Sequence, residues 1–142
     1  MQLRGQPPSG LEYGNARSLR DVSQPHTNWI VGDTPAIPLT SLRWLNQSAS
    51  DPAGTCSQLC VKWFQHHPDD PVAWGLNKPS SEGRTLSILA STGCFHYTFS
   101  GQEGDFDLWL EEPGDFVIWG PNLSHQWRVI EPSSVLSVRW MG

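Results

Sequence analysis

From residue 59 to its end the chain is written in short runs of β-forming residues separated by turn residues, and no stretch of eleven or more carries a helical period. The runs 59–66, 72–76, 84–91, 94–100, 106–112, 115–119, 125–130 and 134–140 are the candidate strands. Between them lie His67-Pro68-Asp69-Asp70-Pro71, Lys78-Pro79-Ser80-Ser81-Glu82-Gly83, Gly101-Gln102-Glu103-Gly104 and Glu131-Pro132-Ser133-Ser134. Each supplies the Gly, Pro, Asp or Ser that a chain reversal needs. With 13 glycines, 12 prolines and eight tryptophans in 142 residues, the composition also favours an all-β sandwich or barrel. The length suits one domain with its own core.

The N-terminal part reads differently. Residues 1–28 are rich in Gln, Pro, Ser, Gly and Arg without a sustained period. They are expected to form a flexible arm, or to order only against a neighbour. Residues 29–142 are expected to form the single domain, with Ile37-Pro38-Leu39 and Leu42-Arg43-Trp44-Leu45 as edge strands or a short helical turn.

Net charge is −5, and from Asp51 onward there are 11 acidic against 5 basic side chains. Such a surface repels phosphate backbones, which argues against nucleic acid as a partner. No apolar run approaches the roughly 20 residues of a membrane span, and the opening residues lack the order of a signal peptide. A cytoplasmic location is expected, with Cys56, Cys60 and Cys94 free.

The segment Pro113-Gly114-Asp115-Phe116-Val117-Ile118-Trp119-Gly120-Pro121-Asn122-Leu123-Ser124-His125 carries the most information. It reads as a tight bend, a strand, a Gly-Pro-Asn turn and a second strand opening on His. Its spacing resembles the second motif of the cupin superfamily. Gly114 and His125 fall at the motif's two ends, while Gly120 stands at its Pro position and Asn122 at its second Gly. Upstream, Arg84 to Gly93 resembles the end of the first motif, where a strand runs into a glycine. The resemblance spans about residues 59–140 and implies a cupin-type double-stranded β-helix, an RmlC-like jelly-roll barrel with an irregular N-terminal arm. The order Trp29-Ile30-Val31-Gly32, Val61-Lys62-Trp63, His67-Pro68, Trp119-Gly120-Pro121 and Val138-Arg139-Trp140 is similar to short bacterial cupins of unassigned function. Some of these carry the label signal peptidase, but nothing in the residues supports proteolysis.

Metal-binding cupins use three His and one Glu, a set that suits divalent transition metals. Carried over position by position, the Glu becomes Leu86, and the His-x-His pair becomes Pro79 and Ser81 or Ser80 and Glu82. His125 alone survives as a metal ligand, with Glu82, His67 and His96 as candidate helpers. Of His66 and His67, neighbours on one strand, at most one can face inward. The resemblance therefore leads to an expectation of no cofactor, with a divalent transition metal as the alternative.

If Leu86 faces inward as the family Glu does, the two-residue period brings Glu82, Arg84 and Ile88 with it. An inward His125 brings Trp127 and Val129. Glu82, Arg84, His125 and Trp127 then form a candidate ligand site for a small organic acid or a sugar. Against this, Glu82 and Arg84 could pair on a solvated rim. Trp63, Trp119 and Trp140 read as core or dimer-face residues, and Lys78 and Arg139 as surface charges. Asp115 reads as a hydrogen-bond acceptor within its turn. Three functions remain open: a metal-poor cupin binding a small polar metabolite, a metal-dependent isomerase, epimerase or dioxygenase-like enzyme, and a homodimeric interaction module.

Overall fold

A computed structural model describes residues 1–19, 58–70, 83–121 and 123–141. Its strands are β1 (Gln2–Arg4), β2 (Leu11–Asn15), β3 (Gln58–His66), β4 (Arg84–Leu89) and β5 (Cys94–Gly101). They continue with β6 (Gly104–Leu110), β7 (Asp115–Trp119), β8 (His125–Glu131) and β9 (Ser133–Met141), and one 3-10 turn covers Ala16–Leu19. The candidate strand 72–76, the segments at 37–39 and 42–45, Cys56, Lys78 and Glu82 lie outside the described residues.

The strands form two antiparallel sheets, ordered β1-β6-β5-β8 and β2-β7-β4-β9-β3. Their nesting defines the architecture. β5 and β6 form a hairpin whose innermost pair is Gly101 and Gly104, β4 pairs with β7 outside it, and the chain returns to lay β8 beside β5 and β9 beside β4. A doubled-back ribbon wound into two facing sheets is a jelly roll. The hairpin turn depends on Gly104, whose φ of 109° few other residues adopt. At Gly93 the constraint is space instead, because a Cβ there would collide with Ser133 Oγ and the Pro132 carbonyl.

The N-terminal residues differ from the expected arm. Residues 2–4 pair with β6 and residues 11–15 pair with β7, so the first 19 residues contribute one strand to each sheet. Each run is only three or five residues long, too short to show a period inside Gln- and Pro-rich sequence. Partners supply what periodicity lacks. Arg4 reaches Asp107 of β6 at 2.6 Å, Leu11 enters the core, and the Tyr13 ring lies 5.7 Å from Phe106.

The main core is sealed between the sheets. Phe95, Tyr97 and Phe99 of β5, with Phe106, Leu108 and Leu110 of β6, face Leu89, Val117, Trp119 and Val135 across it. A buried hydrogen bond crosses from sheet to sheet, joining Ser87 Oγ of β4 to the Tyr97 phenol at 2.7 Å. Odd-numbered residues of β4 therefore face the core. Leu86 faces the other way, in a separate cluster with Phe116, Ile118 and Trp140. This corrects the expectation that Leu86, and with it Arg84 and Ile88, points between the sheets. A shift of one residue exchanges the two faces of a strand.

β3 is an outlier among these strands. Leu59, Val61 and Trp63 are about 60% exposed, at 60%, 62% and 60%. The contrast with the sealed core gives a stability test. Phe99 is fully buried against Tyr97, Trp119 and His125. Phe99→Ala is expected to cost about 3–5 kcal/mol in urea unfolding, whereas Val61→Ala should change stability by no more than about 0.5 kcal/mol. Equal effects would contradict the assigned core.

Candidate functional site

One end of the inter-sheet space is left open as a cavity of about 200 Å³. Its two sides differ in chemistry. Cys60 and Lys62 of β3, Thr85 of β4, and Ser137 and Arg139 of β9 make a polar, basic wall. Tyr97, Trp119, His125 and Trp127 make an aromatic wall. Cross-strand register groups these residues: Cys60 pairs with Arg139, Lys62 with Ser137, and Thr85 with both Arg139 and Trp119. Trp119 thus shares a sheet with the polar residues, while Tyr97, His125 and Trp127 face them from the other. A larger surface groove of about 510 Å³ runs between residues 6–9 and the β5–β6 hairpin tip. Its described lining has neither a basic side chain nor an aromatic ring, so the smaller cavity is the stronger candidate.

Of the residues expected at the site, His125 and Trp127 line this cavity together. Arg84 does not. It shares the alternation of Leu86, on the face of β4 opposite to Thr85, and the guanidinium at the cavity belongs to Arg139, which the sequence suggested was a surface charge. Arg139 Nε donates to Thr85 Oγ1 at 3.4 Å. Trp119, Lys62, Tyr97 and Ser137 were also missed. The signal that could have found them is cross-strand register, which a single sequence does not display.

His125 is buried against the rings of Trp119 (4.9 Å) and Phe99 (5.8 Å). Its Nδ1 donates to the Leu123 carbonyl at 3.2 Å. Burial lowers its pKa below 6.5; the Leu123 carbonyl works against that shift and the Arg139 charge adds to it. The imidazole is thus neutral at pH 7. Burial pushes the Tyr97 phenol well above its ordinary value, so it stays protonated. The indole N–H of Trp119, itself buried, has no hydrogen-bond partner among the described residues.

The remaining histidines are placed elsewhere. His66 is the inward member of its pair, in tilted and edge contacts with the rings of Phe64, Phe95 and Trp127 at 4.8–5.0 Å. Asp70 Oδ2 is 3.5 Å from its Nδ1, without hydrogen-bond geometry. His67 is exposed beyond the end of β3. His96 lies on the other face of β5, stacked on Trp109 and bonded to Asp107 at 2.8 Å. Thr98 and Arg4 complete that network on Asp107. Neither His67 nor His96 therefore joins His125. Asp115 accepts the backbone N–H groups of Glu111 and Glu112 at 2.9 Å, in its turn as expected.

Among the described residues no three His, Cys, Asp or Glu come together as a metal-binding group. The cupin ligand set does not fit either, since Leu86, at its Glu position, points away from the cavity. Cys60 and Cys94 are free thiols, and no helix among the described residues is long and apolar enough to cross a membrane.

No family model matches the chain, and a search of curated proteins finds no match. Among solved structures, a point mutant of hydroxyethylphosphonate dioxygenase is similar at 19% identity and a TM-score of 0.41. The similarity covers 56% of this chain and 16% of the dioxygenase chain.

Burial also lowers the pKa of His66 and of His96, below 6.5 in both cases. Together with His125 they bind protons less tightly folded than unfolded. Stability is then complete above about pH 6.5 and falls as pH drops from there towards the folded values. Asp107 and Asp115 add a later loss below about pH 4. Burial raises both, but the hydrogen bonds each accepts outweigh it and leave both pKa values below 3.8. The urea midpoint should be lower at pH 5 than at pH 7.5, and His125→Gln should reduce the difference. A midpoint that rises on acidification would contradict the buried neutral histidines.

Proposed function

We propose that this chain is a cupin-type binding protein that holds a small polar metabolite, an organic acid or a sugar, in the cavity between its sheets. The observation that carries this reading is the division of one small cavity into a basic, hydroxyl-bearing wall and an aromatic wall around a neutral His125. Ligand sites combine an apolar surface that displaces water with a few polar groups that fix orientation. At about 200 Å³ the space is below the roughly 300–1,000 Å³ of drug-sized pockets, which suits a metabolite of few atoms.

The chemistry on hand is recognition. Arg139 and Lys62 donate to anionic or carbonyl oxygen, Thr85 and Ser137 donate or accept, and Trp127 gives a flat face for a ring or a sugar's C–H surface. Trp127 is held in place by stacking on Phe95 at 5.3 Å and an edge contact with His66 at 4.9 Å. A rigid wall of this kind lowers the entropic cost of binding.

A thermal-shift screen of small organic acids and sugars tests the reading. A ligand at tenfold its Kd stabilises by about 1.4 kcal/mol, or roughly 3–6 °C for a domain of this size. Cys60→Trp, which puts an indole into the cavity from an exposed edge position, should abolish the shift while leaving the unliganded protein folded. A shift that survives in this variant would place the ligand elsewhere.

A further inference from the structure

From the charge and shape of this cavity we infer that its ligand is a small carboxylate with a flat apolar body, seated with its anion against Lys62 and Arg139 and its body against Trp119 and Trp127. The inference rests on the reading of the cavity as a ligand site and narrows it from polar metabolites in general to one class.

Charge is the first argument. Lys62 and Arg139 are diagonal neighbours on β3 and β9, because Cys60 lies directly opposite Arg139 and Ser137 opposite Lys62. Side chains in that relation have Cβ atoms roughly 7 Å apart, within reach of each other for long residues. Two like charges so placed repel, and none of the described lining residues is acidic. An anion between them relieves the repulsion and gains charge-assisted hydrogen bonds from both.

Donor balance points the same way. Besides Lys62 and Arg139, the described lining offers the hydroxyls of Thr85, Ser137 and Tyr97 (the last bonded to Ser87), the His125 imidazole and the Cys60 thiol, and no Asp, Glu, Asn or Gln. A sugar presents many O–H donors and needs acceptors of that kind. A carboxylate presents acceptors alone, which suits a wall whose two charged groups are both donors.

Shape supplies the rest. At about 30 Å³ per water, the 200 Å³ cavity has room for roughly seven. A benzoate-sized molecule fills such a space. Its ring would meet the faces and edges of Trp127 and Trp119, where aromatic contacts add to plain burial.

The test uses the full chain at pH 7.5 and low salt, with benzoate, its neutral isostere benzamide, and glucose measured by calorimetry. Benzoate is expected to bind at least tenfold more tightly than benzamide. Lys62→Gln and Arg139→Gln should each weaken benzoate about tenfold or more and weaken benzamide by a clearly smaller factor. Lys62 is exposed, so its variant keeps the fold even if Arg139→Gln does not. Benzoate should also slow iodoacetamide modification of Cys60, read by peptide mass, without protecting Cys94. Glucose binding that is lost in Cys60→Trp, with no benzoate binding, overturns the carboxylate inference and leaves the site reading standing. Benzoate binding that ignores both substitutions and leaves Cys60 unprotected overturns the inference as well. No binding by any of the three overturns it also, and the broader screen then decides the site reading on its own.

Discussion

The hydrogen bond between Ser87 and Tyr97 fixes which face of β4 looks into the molecule, and the functional geometry follows from that choice. It is a buried polar link between two sheets whose main core cluster is built from aliphatic and aromatic side chains. A buried hydroxyl with no partner is costly, so Ser87 and Tyr97 each require the other. With Ser87 inside, the two-residue period puts Thr85 at the cavity and sends Leu86 to the second cluster with Phe116, Ile118 and Trp140. The same register carries through β9, where Ser137 stands opposite Ser87 and Arg139 opposite Thr85.

Strands were legible because each is bounded by turn residues whose chemistry is local. Asp115–Trp119 is found where the sequence places it, and the turns at Gly101–Gly104 and before Asp115 carry the glycines at positive φ that such bends use. Faces were harder to read. β7 is buried along its whole length, so its sequence shows no alternation, and β4 mixes Thr and Ser inside with Leu and Ile on the other face. Polarity alone would place those rows the other way round. A hydroxyl becomes an interior residue only through its partner, and Tyr97 lies ten residues further along. β1 and β2 failed for a related reason: runs of three and five residues are strands because β6 and β7 offer them an edge.

The candidate site shows the same division. His125 and Trp127 were recognisable because a motif-like segment ends at His125 and the strand period carries Trp127 with it. Arg139, Lys62 and Trp119 come from three other strands and meet only through cross-strand register. His96, by contrast, was a plausible helper in sequence, yet it is committed to Asp107 and Trp109 on the far side of its sheet. The basic groups therefore divide by face. Arg4 is balanced by Asp107 outside, while Lys62 and Arg139 converge on the cavity, where the described lining holds no carboxylate.

The orientation of β4 is tested most directly by a double-mutant cycle on Ser87→Ala and Tyr97→Phe in urea unfolding. If the two side chains meet between the sheets, their coupling should be about 1 kcal/mol, because either single change strands a buried partner that the double change removes. Additivity to within about 0.3 kcal/mol would mean that Ser87 does not face Tyr97. Thr85 and Arg139 would then lose their place at the cavity, and the basic wall with them.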